Sequence, residues 1–239
     1  MTQPIQLLLI DDNRSDRLLV LRELQREFEQ LNVQEIISSG EFNRAIRQGG
    51  FDAVVTDFQL RWTTGLEILE AIKERYPDCP VIMFTNTGTE EIAVEAMKLG
   101  LDDYILKEPN RYVRVPSSVR AGIERAIAKK QAALLEIRFR ALLEKLKIGV
   151  FRVSEAHELL ECNPAFLTLL GVESIEQARS LLRFSFFSSL IQSASTAEIE
   201  KQELDLQRGD GQHIKVLLTM IVTRAGNTTV IDGILEESV

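Results

Sequence analysis

A chain of 239 residues is too long for one small core and suits two compact domains joined by a linker; its 45% hydrophobic and 27% charged content is that of an ordinary globular protein. With 28 basic against 36 acidic residues, the net charge of −8 argues against a general binder of nucleic acid or anionic membranes. Cys79 and Cys162 are too few and too far apart for a disulfide framework or a metal knuckle. No apolar stretch approaches the ~18 residues that span a bilayer, and the N-terminus lacks a basic patch followed by an apolar run, so the expected location is cytoplasmic, with no membrane contact.

The first half alternates short apolar runs with amphipathic helical patterns. Leu7 to Ile10 reads as a buried strand, and Arg14 to Gln30 places Leu18, Leu21, Leu24 and Phe28 at helical spacing. Val33 to Ile37 leads to a short helix ending near Gly49, and Ala53 to Thr56 leads to a helix from about Gly65 to Tyr76. Val81 to Thr85 precedes a helix over Thr89 to Leu99, and Tyr104 to Leu106 precedes a helix starting at Pro116. Strands alternating with helices imply a parallel five-stranded α/β sheet covered on both faces.

Residues 116–147 contain no proline after Pro116 and read as one long connecting helix. The stretch 114–147 carries nine basic and three acidic side chains, a net charge of +6, taken as a solvated helix face rather than a nucleic-acid contact. Val119, Ile123, Ala126, Ile127, Leu134, Ile137 and Ala141 form an apolar stripe, interrupted as a strict heptad by Lys130. The stripe packs either on the helix's own domains or, as expected here, against a second copy in a parallel coiled coil.

Beyond the helix the pattern changes to α+β. Strands are expected at Val150 to Val153 and Glu158 to Glu161, helices at Pro164 to Leu170 and Ile175 to Leu181, and a further helix near Ser188 to Ser193. Three more strands follow near Glu198 to Leu206, His213 to Thr223 and Thr228 to Leu235, with Gly209-Asp210-Gly211 and Ala225-Gly226-Asn227 as turns, giving an antiparallel sheet. The domain limits expected are 1–115, 116–147 for the connecting helix, and 148–239.

In the first domain the chemistry-bearing residues fall at the carboxyl ends of strands: Asp11 and Asp12, Asp57, Thr85 and Lys107. Ligands bind at that edge of an open parallel sheet. An aspartate after a strand is by itself as readily a turn former or helix cap, but five such positions converge on one edge. Crowded carboxylates repel one another unless a cation neutralises them, and Mg²⁺ accepts a few carboxylates while keeping waters. One carboxylate then serves as nucleophile toward a phosphoryl group, with metal, lysine and hydroxyl sharing the transferred charge.

The segments Leu8-Leu9-Ile10-Asp11-Asp12, Val54-Val55-Thr56-Asp57 with Gly65 eight residues on, Ile82-Met83-Phe84-Thr85 and Asp102-Asp103-Tyr104-Ile105-Leu106-Lys107 together resemble the response-regulator receiver family, over about residues 4–130. The resemblance implies a flavodoxin-like doubly wound sheet, Asp57 as phosphoacceptor, and Asp11, Asp12, Asp57 and the Gln59 carbonyl as Mg²⁺ ligands. It further implies Thr85 and Lys107 as phosphoryl contacts, and Tyr104 as the aromatic that acts with Thr85 as a switch. Leu60-Arg61 and Lys107-Glu108 depart from the family's usual Met-Pro and Lys-Pro, and Asn86 stands where a small residue is common; a cis peptide after Lys107 is not expected, because a non-proline cis bond costs about 3 kcal/mol.

Ile148-Gly149-Val150-Phe151-Arg152-Val153, Leu160-Glu161-Cys162-Asn163-Pro164-Ala165-Phe166, Leu169-Leu170-Gly171 and Ile231-Asp232-Gly233-Ile234-Leu235 resemble the PAS sensor family. That family's flavin-binding motif with its reactive cysteine is missing, Cys162 reads as a small apolar residue, and His157 and His213 read as structural rather than as haem ligands. No tightly bound PAS ligand is expected. The combined expectation is a two-component phosphorelay regulator that is phosphorylated by a histidine kinase or phosphotransfer protein, relays the state through the connecting helix to the PAS domain for dimerisation or partner binding, forms a homodimer through that helix and the PAS domain, and has no kinase or cyclase activity within these residues. The alternatives are the N-terminal regulatory part of a longer sensor histidine kinase or nucleotide cyclase, and a receiver kept only as a dimerisation scaffold.

Overall fold

The computed structural model describes residues 4–86, 89–108, 110–154, 158–181, 200–225 and 228–238. The chain divides into two compact units, residues 1–133 and 134–239.

In the first unit, β1 (Ile5–Ile10), β2 (Leu31–Ile36), β3 (Ala53–Thr56), β4 (Val81–Thr85) and β5 (Asp103–Leu106) form one parallel sheet in the order β2-β1-β3-β4-β5. The order reverses at β1, which opens a crevice between the carboxyl ends of β1 and β3. Alternate residues feed two cores: Leu8, Ile10, Val54 and Met83 on one face, Leu7, Leu9, Val55, Ile82 and Phe84 on the other.

Helices α1 (Arg14–Glu27), α2 (Ser39–Gln48), α3 (Gly65–Arg75) and α4 (Glu90–Lys98) cover these faces, and each starts where a side chain takes up an orphan amide. Asn13 accepts from Ser15 N, Ser38 from Glu41 N, Thr64 from Glu67 N and Thr89 from Ile92 N. Of the residues expected at helical spacing on α1, Leu24 and Phe28 are buried and Leu21 packs partly buried on the same core, while Leu18 does not. Asp16, Val20 and Leu24 are buried and Leu18 is 56% exposed, because the helix turns its i, i+4, i+8 row onto the sheet.

Helix α5 (Arg114–Lys145) begins two residues before Pro116, which still lies in the first turn where its missing N–H costs nothing. Val115, Pro116, Val119 and Gly122 are its buried residues. At Gly122 a Cβ would come within 2.7 Å of Pro80 Cβ. Arg120 pairs with Glu27 (2.7 Å) and Lys129 with Asp78 (2.6 Å). From 134 onward Leu134, Leu135, Ile137, Phe139, Leu142 and Leu146 are all exposed.

In the second unit, β6 (Gly149–Ser154), β7 (Leu159–Cys162), β8 (Glu200–Gln207), β9 (His213–Ala225) and β10 (Thr228–Glu237) form an antiparallel sheet in the order β7-β6-β10-β9-β8, with α6 (Pro164–Leu170) and α7 (Ile175–Leu181). The helix expected near Ser188 to Ser193, the Ala225-Gly226-Asn227 turn beyond Ala225, His157 and Pro109 lie outside the described residues. Asn163 joins helix to sheet: its Oδ1 accepts from Phe166 N and Val150 N, and its Nδ2 donates to Ile148 O, each at 2.9 Å. Phe151 lies opposite Gly233 across β6 and β10, its ring filling the place a Cβ at 233 would need. No helix among the described residues is long and apolar enough to cross a membrane.

Candidate functional site

The register of the parallel sheet brings the expected residues to one edge. Ile10 pairs with Thr56 and Asp57 N donates to Ile10 O (2.8 Å), so Asp11 and Asp57 leave neighbouring strands side by side. Lys107 N donates to Thr85 O (2.7 Å), fixing the β5 end against the buried Thr85. No cis peptide occurs among the described residues.

Lys107 is the centre of the constellation. Its Nζ lies 2.6 Å from Asp11 Oδ2, 2.7 Å from Asp57 Oδ2 and 2.9 Å from Asp16 Oδ2, with its side chain 1% exposed. Asp11 Oδ1 accepts from Asn13 N (2.7 Å), and Asp57 Oδ1 from Gln59 N (3.3 Å). Asp16 was not anticipated from the sequence; its position on the buried stripe of α1 is what carries it inward. Asp12, by contrast, turns aside: its Oδ2 accepts from Arg61 N (2.9 Å) and pairs with Arg61 Nε (3.3 Å).

One ammonium shared among three carboxylates leaves each carboxylate under-compensated. Burial therefore pushes the Asp11 pKa up, even against its bonds to Lys107. Burial pulls Lys107 the other way, but its hydrogen bonds to Asp11, Asp57 and Asp16 prevail and raise its pKa, so it stays an ammonium. Three carboxylates and one ammonium carry a net −2. Oxygens of Asp11, Asp16 and Asp57 lie within 4.8 Å of one another around Lys107 Nζ, and the negative charge left unbalanced on these hard donors fits a divalent ion such as Mg²⁺ beside the ammonium rather than in its place.

Tyr104 is half-buried in the core that contains Met83 and Ala96. Its hydroxyl is enclosed, with no hydrogen-bond partner among the described residues, and burial followed by the nearby Asp57 charge raises its pKa. Behind Thr85, Phe84 meets Tyr112 edge-on with ring centroids 4.8 Å apart. Asn86 is exposed.

The second unit offers less chemistry. His213 is exposed, with Nδ1 3.3 Å from Asp205 Oδ1, and Cys162 is half-buried against the core. A groove of about 480 Å³ is lined by Phe139, Leu143, Val150, Arg152, Cys162 and Pro164 among others, and Arg152 is paired with Asp232 at 2.7 Å. In the first unit, burial pushes the Cys79 thiol up to about 12, which makes it inert.

Residues 7–113 match the response regulator receiver domain, and residues 137–203 match the PAS domain. An NtrX-like response regulator of Rickettsia conorii is 38% identical over 108 residues, which cover 44% of this chain and 22% of that protein. The photosynthetic apparatus regulatory protein RegA of Rhodobacter capsulatus is 34% identical over 102 residues, covering 42% of this chain and 54% of RegA. The chain thus spans about a fifth to a half of the length of these relatives. Among solved structures, NtrX from Brucella abortus is similar with a TM-score of 0.50 and 27% identity, over 56% of this chain and 30% of that one.

Proposed function

From a chain that carries a response regulator receiver domain followed by a PAS domain, we propose a two-component response regulator that takes a phosphoryl group from a histidine kinase or phosphotransfer protein onto Asp57. The observation that carries this reading is the meeting of Asp57 with Asp11 and Lys107 at the crevice between β1 and β3. An Asp57 oxygen attacks the phosphorus of a phosphohistidine. The P–N bond breaks with its electron pair left on the imidazole, and an acyl phosphate forms. Hydrolysis later cleaves the same O–P bond and returns the carboxylate.

Asp11, Asp12, Asp57 and the Gln59 carbonyl would hold Mg²⁺, which when bound would supply the charge compensation that lets a dianionic phosphoryl group approach these carboxylates. Asp12 reaches that role by exchanging a pair with Arg61, whose side chain is 85% exposed, and such surface pairs are worth about 0–1 kcal/mol. Lys107 shifts from carboxylate to phosphoryl oxygen, and Thr85 donates its hydroxyl to another. Tyr104 reports the change from its inward position.

The exposed apolar residues between Leu134 and Leu146 support a homodimer formed through α5 and the PAS domain, to which the helix relays the phosphorylation state for dimerisation or partner binding. Turnover is confined to self-phosphorylation and dephosphorylation, in the cytoplasm. Incubation with acetyl phosphate and Mg²⁺, followed by Phos-tag electrophoresis and mass spectrometry, tests the reading. A shifted band lost in Asp57→Asn is expected; no adduct on the wild type would sink it.

A further inference from the structure

An ammonium has three N–H donors, and Lys107 spends one on each of Asp11, Asp57 and Asp16. Phosphorylation at Asp57 engages the first two acceptors and leaves Asp16 unassigned. Its second oxygen has a different partner: the Tyr112 hydroxyl donates to Asp16 Oδ1 at 3.2 Å. Burial and then the Asp16 charge raise the Tyr112 pKa, so the phenol remains a donor. Tyr112 precedes α5 by two residues and packs with Phe84, Val115 and Val119 in one apolar layer. Asp16 is itself fixed on α1, one turn ahead of the buried Val20 and Leu24. A single anchored carboxylate therefore bridges the ammonium of the site and the root of the long helix.

We propose that Asp16 is a positioning residue that couples Lys107 to α5. When Asp11 and Asp57 turn to the phosphoryl group and its ion, Asp16 is the partner that keeps Lys107, and its altered share of the ammonium changes the bond it accepts from Tyr112. In a site this dry, two hydrogen bonds on one carboxylate are not independent, because charge drawn to one oxygen weakens the acceptor at the other. The coupling rests on the phosphorylation of Asp57 proposed above. It gives the receiver a route to α5 through Tyr112, separate from Thr85 and Tyr104.

Hydrogen–deuterium exchange of the full chain tests the coupling, with beryllofluoride and Mg²⁺ as the phosphoryl probe and occupancy of Asp57 followed by fluorine NMR. At matched occupancy, the adduct is expected to alter exchange over 112–123 in the wild type. That response should fall at least threefold in Asp16→Asn and in Tyr112→Phe, while the response around Thr85 and Tyr104 persists. Tyr112→Phe keeps the ring contacts and so covers the case in which Asp16→Asn misfolds. If the wild type binds no beryllofluoride, the Asp57 reading fails and the coupling falls with it. If uptake is normal but α5 gives no response, or an equal response in all three proteins, the coupling alone is overturned.

Discussion

Gly65 is pressed against Asp57: a Cβ built on it would lie 2.6 Å from the Asp57 carbonyl oxygen and 2.8 Å from Phe58 Cα. Both neighbours are backbone and cannot swing aside, unlike Met83 Cε at 3.0 Å. Gly65→Ala should therefore cost about 1–3 kcal/mol through forced backbone movement. It should also displace the acceptor carboxylate. Calorimetry is expected to show a lower melting temperature for the first unit, and Phos-tag electrophoresis slower uptake; unchanged values in both would refute the close approach.

The Asp11 and Lys107 pKa values are both raised on folding, so both contributions are lost as pH rises, in an acidic window for the carboxyl and an alkaline one for the ammonium. The Asp11 pKa is raised on folding, so its contribution is favourable below the ordinary carboxylate value and is lost as pH rises through the folded value. At pH 7 without Mg²⁺ the ionised group costs stability. Asp11→Asn, whose amide oxygen still accepts from Lys107, should raise the melting temperature by a few degrees in EDTA and shrink the Mg²⁺-induced rise. The Lys107 pKa is also raised, so its contribution is full below its ordinary value of about 10.4 and is lost as pH climbs through the folded value. Melting curves from pH 7 to 12 should show that alkaline loss in the wild type and not in Lys107→Met, which is destabilised at pH 7 by roughly 3–5 kcal/mol.

Asn163 ties α6 to β6 through three hydrogen bonds. Asn163→Ala removes the helix cap and orphans the Val150 amide, a loss of about 2 kcal/mol. Asn163→Asp keeps the two acceptors but sets a charge against the Ile148 carbonyl, so it should fall between. Hydrogen exchange of β6 and α6 would measure the order; equal protection in all three proteins would deny Asn163 this role.

Ile137 and Phe139 are 64% and 57% exposed on a helix whose neighbours Leu134, Leu135 and Leu142 are exposed too. Changing both to Glu should halve the mass in light scattering if this stretch makes the dimer. The apolar burial forfeited is about 1.5–3 kcal/mol per side chain. An unchanged mass would assign the dimer elsewhere or show that the wild type is monomeric.

Much of the first unit could be read from residue order, because each apolar run ends on a polar residue with an evident job at the sheet edge. Asp57 after Ala53–Thr56 and Lys107 after Asp103–Leu106 are examples. Asp16 was hidden by a phase choice. Leu18, Leu21, Leu24 and Phe28 mark a broad apolar face without fixing its centre, and position 16 then reads as an ordinary first-turn acid favourable to the helix dipole. The row through Val20, Leu24 and Phe28 would have pointed it inward. Its partners Lys107 and Tyr112 are 91 and 96 residues away, which no local pattern reveals. Asp12 shows the converse: neighbours on a chain leaving a strand diverge, so Asp11 enters the crevice and Asp12 meets Arg61.

Strand β10 is the last of its sheet in sequence and the middle one in space. Before the ribosome delivers Thr228–Glu237, the pairs β6–β7 and β8–β9 are separate hairpins, and an isolated hairpin is marginal in water. The parallel sheet, whose strands are all made by Leu106, can close during translation. Its companion waits in two halves, with Val216, Leu218 and Met220 lacking their final cover until β10 is made.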